Sequence, residues 1–172
     1  MWGLTATSVY FISILTAYIH AHFANSGNQN PDASFKLWKC VSFLFQTALL
    51  WEVVITIVFW TLLWPYYPKD QNAFRLFLQQ SKYHLLPLVY LTVDFTFNRI
   101  YFEWSHLWVQ LTIFWIYGAV NIYVTLAYYP VYPIETWNAV GSVIAAIAIN
   151  LFILLMFVGL FYLSEWKFAK LC

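Results

Sequence analysis

The chain holds 172 residues, of which 63% are hydrophobic, 23% aromatic and only 9% charged, and 8 Lys/Arg against 7 Asp/Glu leave a net charge of +1. A soluble domain carries about 25% charged residues, so a soluble globular enzyme and a disordered tail are excluded, and the near-neutral balance offers nucleic acid no basic footprint. The apolar runs instead predict an all-α protein. It is a polytopic membrane helix bundle of about five spans plus a short interfacial helix, one transmembrane domain over 1–172.

The first run covers 4–23, enough to cross a hydrocarbon core of about 30 Å at about 1.5 Å per residue. No Lys or Arg precedes it and no short apolar stretch ends in a cleavage site, so it reads as a retained span rather than a signal peptide. Asn25 to Asp32 is a polar turn cluster with Gly27 and Pro31. The second run, 36–64, is long enough to tilt and stops at Pro65-Tyr66-Tyr67-Pro68. Residues 72–82 set Phe74, Phe77 and Leu78 among Arg75, Gln79 and Gln80, the pattern of an interfacial helix. A third span is expected over 83–102 and a fourth over 104–127, followed by a Pro/Tyr-rich reentry loop at 128–137. The fifth, 138–164, is the most apolar and is closed by Glu165, Lys167 and Lys170. Trp and Tyr gather at the span ends, as interfacial belts do. Lys36, Lys39, Arg99, Lys167 and Lys170 on one side outnumber Lys69, Arg75 and Lys82 on the other, which places the C-terminus in the cytoplasm or matrix.

Ionisable and amide groups inside a span are expensive and mark functional candidates. Glu52 lies within the second run, Asp94 within the third, and Asn121 and Asn150 deep in the fourth and fifth. Gln46 and Thr56 stand about a turn or so from Glu52, and His84, Pro87, Leu91, Asp94 and Asn98 share one broad helix face. Two readings are open: the polar groups hydrogen-bond one another and hold the bundle together, or some carry chemistry. Asp94 is about 15 Å along the helix from His84, so Glu52, at similar depth on its own helix, is the better orienting partner for the imidazole. Gly141 with Ala145, and Ser142 with Ala146 and Asn150, form small-residue ridges suited to close helix packing. His20 and His22 point about 200° apart, Cys40 and Cys172 have no metal spacing, and His106 reads as interfacial, so neither a metal nor a cofactor is expected.

Several segments in order are similar to one known family. They are Trp2-Gly3-Leu4-Thr5, the run from Val53 to Trp60, His84-Leu85-Leu86-Pro87 with Asp94, Tyr117, Val131 to Trp137, and Phe161-Tyr162-Leu163-Ser164-Glu165. Together they resemble the androgen-induced and rolling-stone-like family of multi-pass membrane proteins. That resemblance implies six spans, of which this sequence lacks the first. It also implies an intramembrane hydrolase of fatty-acid esters of hydroxy fatty acids, with a threonine nucleophile and a histidine base. His84 matches the histidine and Thr5 is the nearest counterpart of the threonine, although Thr5 equally reads as an ordinary helix-start residue.

Two functions of different classes therefore stand first. One is a non-catalytic subunit or scaffold, because a short bundle with small loops carries little machinery of its own. The other is a lipid-ester hydrolase in which His84 activates Thr5. A small transporter or proton pathway through Glu52 and Asp94 is a third, without any internal repeat behind it. The expected partners are membrane lipids and other membrane proteins of a complex, with no nucleic acid, in the endoplasmic reticulum or the mitochondrial inner membrane.

Overall fold

A computed structural model describes residues 2–24, 31–66, 72–128 and 140–171. All regular structure among them is helical. The elements are α1 (Trp2–Ala24), α2 (Pro31–Val58), a π-helical turn (Phe59–Leu63) leading into a 3-10 turn (Trp64–Tyr66), α3 (Ala73–His84), α4 (Leu86–Phe97), α5 (Ser105–Ala127) and α6 (Val140–Leu171). Three stretches, Lys36–Leu63, Ser105–Ala127 and Val140–Lys170, are long and apolar enough to cross a membrane, and α1 adds the shorter apolar stretch Thr5–Ile19. The chain is an all-α membrane protein. Most of the turn at 25–32 and nearly all of the segment at 128–137 lie outside the described residues.

Local chemistry explains where the helices differ from the expected spans. α2 begins at Pro31, whose fixed φ and missing N–H suit a first helical position. At its far end Pro65 cannot donate to the Thr61 carbonyl and its ring would crowd that turn. The helix widens there, and the Trp64 N–H reaches the Phe59 carbonyl instead. The span expected over 83–102 is not one helix. α4 has 12 residues, about 18 Å, which is short of a hydrocarbon core. Pro87 lies in its first turn, and Asn98 ends it with extended backbone while its side-chain Oδ1 accepts the Ile100 N–H at 3.1 Å. α6 runs past the expected end at 164 to Leu171, because Glu165, Lys167, Ala169 and Lys170 end the apolar stretch but are good helix formers.

The described fold divides into two compact units, Met1–Tyr101 and Phe102–Cys172. In the first, α1 lies along α2 and α4 packs on both. α2 turns Val41, Phe45, Ala48, Leu49, Glu52 and Thr56 inward along one stripe, which Phe59 of the π-helical turn continues, and all are buried. Phe45 sits between α1 and α4, its ring centroid 5.1 Å from Tyr10 and 6.1 Å from Phe95. Buried Gln46 donates from Nε2 to the Tyr101 carbonyl at 2.9 Å and so ties the segment after α4 to α2. In the second unit, α5 and α6 pack together. The Phe102 ring meets Phe157 at 5.8 Å, Trp104 meets Phe161 at 4.8 Å, and the Phe102 N–H donates to Ser164 Oγ at 3.3 Å. This pins the lead into α5 against α6.

Burial differs sharply between the spans. The apolar stretch of α2 is 50% buried, and those of α5 and α6 only 11% each. Trp108, Trp115, Ile116 and Tyr123 on α5, and Ile144, Ile147, Leu151 and Leu155 on α6, are exposed. A face of that extent does not persist in water and is the normal outer surface of a helix in lipid. Gly141, on one of the small-residue ridges, has open space where a Cβ would stand.

The two phenylalanines at the extremes of exposure provide a check. Phe45→Ala is expected to destabilise the fold by about 3–5 kcal/mol, the usual cost of emptying a buried aromatic site. Phe97, 83% exposed, should tolerate the same change within about 0.5 kcal/mol. Reversible unfolding of the full chain by SDS titration in mixed micelles measures both.

Candidate functional site

Two carboxyls of the first unit, Glu52 on α2 and Asp94 on α4, are both met by hydroxyls from α1. The Thr7 hydroxyl donates to Glu52 Oε1 at 2.9 Å, with both residues buried. One turn on, the Tyr10 hydroxyl donates to Asp94 Oδ2. Asn98 Nδ2 adds a second, longer bond to the same oxygen at 3.3 Å. Thr7 and Tyr10 are three apart on α1 and therefore share a face, with Ala17 two turns farther along it; all three are buried. A carboxyl in an apolar unit has to be partnered, and here one stripe of α1 supplies a donor to α2 and another to α4.

His84 has a different setting. Its ring stacks on Phe59 at 3.9 Å between centroids and 16° between planes. Its main-chain carbonyl accepts the Thr56 hydroxyl. That bond fastens the α3–α4 junction to α2 and sits beside the π-helical turn, a feature often found at functional sites. His84 Nδ1, Glu52 Oε2, Ser81 Oγ and Trp60 Nε1 are buried and make no hydrogen bond among the described residues. The expected pairing of Glu52 with His84 is not formed: Glu52 Oε1 accepts from Thr7, and neither Glu52 Oε2 nor His84 Nδ1 makes a hydrogen bond among the described residues.

Thr5 stands on the exposed face of α1, two residues and hence about 200° from Thr7, and no hydroxyl reaches His84 Nδ1. The structure therefore brings Thr7, rather than Thr5, to the buried polar groups. In the second unit, buried Asn121 accepts the Thr125 hydroxyl at 3.4 Å, and Asn150 Nδ2 donates to the Ala146 carbonyl at 2.8 Å, both within their own helices. His106 Nε2 lies 3.9 Å from Glu103 Oε2 near the start of α5. The side chains of His20 and His22 lie outside those described. Among the described residues no three His, Cys, Asp or Glu side chains converge as metal ligands would.

A groove of about 200 Å³ opens between α1 and the α3–α4 junction. Thr7 lines its wall, as do Lys82, Leu86 and Pro87, the near neighbours of His84 in the chain. Sequence reasoning picked out Glu52, Asp94 and His84 but missed Thr7 and Tyr10. The available signal was two hydroxyl residues three apart in a helix that had to cover two carboxyls. Comparison with family models, with characterised proteins and with solved structures finds no match to this chain.

The hydroxyl contacts lead to a direct test. Thr7→Val keeps the shape and removes the donor, leaving Glu52 buried without its bond, so a loss of about 1–3 kcal/mol is expected. Thr5→Val on the exposed face should stay within about 0.5 kcal/mol. Paired SDS-unfolding midpoints of the two variants would show the difference, and equal effects would place the important hydroxyl elsewhere.

Proposed function

We propose that the chain is a non-catalytic multi-pass membrane subunit or scaffold, part of a larger membrane complex and built on a bundle of the androgen-induced and rolling-stone-like type. One observation carries the reading. Two hydroxyl–carboxyl bonds of the first unit join helices, Thr7 to Glu52 and Tyr10 to Asp94, while Thr5 faces outward. Nucleophilic catalysis needs a hydroxyl within hydrogen-bond reach of its base, and His84 Nδ1 meets none. The sparsely buried flanks of α5 and α6 agree with this, since they leave broad apolar surface for lipid and for neighbouring helices. On this reading Lys167 and Lys170 face the cytoplasm or matrix, in the endoplasmic reticulum or the mitochondrial inner membrane.

A second reading, an intramembrane hydrolase of lipid esters, draws on the buried His84 ring nitrogen and the groove beside it. Extraction in a mild detergent separates the two. The subunit reading expects the 20.3 kDa chain to run in a particle several times its own mass, with stoichiometric membrane partners and no ester turnover. A solitary chain that hydrolyses fatty-acid esters of hydroxy fatty acids, and loses that activity on His84→Ala while remaining folded, would replace it with the hydrolase.

A further inference from the structure

The groove between α1 and the α3–α4 junction has an uneven lining. Phe11, Leu86, Pro87 and Tyr90 give it apolar walls, Ser8 lies on the α1 side, and Lys82 is its one charged residue. Lys82 is exposed and has no ion-pair partner among the described residues. Arg75 stands two turns back on α3, at a spacing of seven that puts it on the same face as Lys82. No acidic residue interrupts α3; Leu78 lies between the two cations on their face, Phe74 and Phe77 flank it, and all three are exposed. A helix with apolar residues on one face and cations beside them lies at a membrane surface, where each Lys or Arg adds attraction to anionic lipid.

The size of the groove narrows the occupant further. At about 200 Å³ it is smaller than the roughly 300–1,000 Å³ cavities that enclose a small molecule. It fits one end of a larger molecule whose remainder lies outside, in the bilayer. We propose that this groove binds an anionic phospholipid, with its phosphate at Lys82 in the field of Arg75 and the first part of an acyl chain along Phe11, Leu86, Pro87 and Tyr90. The charge selects the headgroup and the aromatic and proline walls hold the chain. The site lies within the first unit alone, and the assignment does not depend on whether the chain is a subunit or an enzyme. It gives the α3–α4 junction a fixed depth at the membrane surface.

The test uses the full chain purified in a neutral detergent and titrated with dioleoyl-phosphatidylglycerol or dioleoyl-phosphatidylcholine, with bound lipid read by native mass spectrometry. Phosphatidylglycerol is expected to bind in preference to phosphatidylcholine. Lys82→Gln should weaken its binding about fivefold, the effect of one surface cation on anionic lipid, and Ser8→Phe should block it by filling the groove. Lys167→Gln, on α6, should leave it unchanged. Equal binding of the two lipids, full binding by Lys82→Gln, or equal weakening by Lys167→Gln would overturn the proposal. So would displacement of phosphatidylglycerol by an equal concentration of palmitate, which would make the ligand a free fatty-acid carboxylate.

Discussion

Two hydroxyl–carboxyl hydrogen bonds hold the first unit in register, and much of its remaining architecture follows from them. Glu52 and Asp94 sit where a lone carboxyl would be costly, and each accepts a hydroxyl from α1. The Thr7 and Tyr10 hydroxyls come from one stripe of α1, so satisfying both carboxyls fixes the rotation of α1 about its axis and its height against α2 and α4. Phe45 then fills the space between Tyr10 and Phe95. Apolar packing alone specifies rotation weakly when a helix is apolar all round, since any face then suits lipid or core. The polar bonds provide the distinction.

The same constraint shapes the surroundings of His84. Glu52 gives its Oε1 to α1, and the His84 imidazole packs on Phe59 with no carboxylate among the described residues bonded to its Nδ1. The Thr56 hydroxyl grips the backbone at the α3–α4 junction, and Pro87 fixes where α4 restarts. The groove lined by Lys82 and Tyr90 lies against this junction. Its shape is thus a consequence of helix positions that the buried hydrogen bonds set, and a lipid bound there would reinforce the same arrangement from the membrane side.

The spans were legible in the sequence wherever length and hydropathy decide the matter, as in α2, α5 and α6. The limits were less so, for identifiable reasons. The turn at Asn98 depends on a side chain accepting from the backbone two residues on, which hydropathy does not register. The extension of α6 through Lys170 rests on helix propensity after the apolar run has ended. Glu52 and Asp94 stood out because charge within an apolar run is conspicuous. Their partners did not, because Thr7 and Tyr10 are ordinary residues in a helix otherwise rich in apolar ones, and only the neighbouring helices reveal which face turns inward. Thr5 was singled out by resemblance, and it lies about half a turn away from the stripe that matters.

The most direct test of this account is a double-mutant cycle on Thr7 and Glu52, read as unfolding free energy in mixed micelles. Glu52→Leu removes the carboxyl, and the Thr7 hydroxyl can then bond within α1 as Ser13 does to the Val9 carbonyl. Thr7→Val should therefore cost about 1–3 kcal/mol in the native background and close to nothing beside Glu52→Leu, because removing both partners spares the penalty of stranding one. An equal cost in both backgrounds would show that the two groups are not coupled and would contradict the proposed basis for the register of α1.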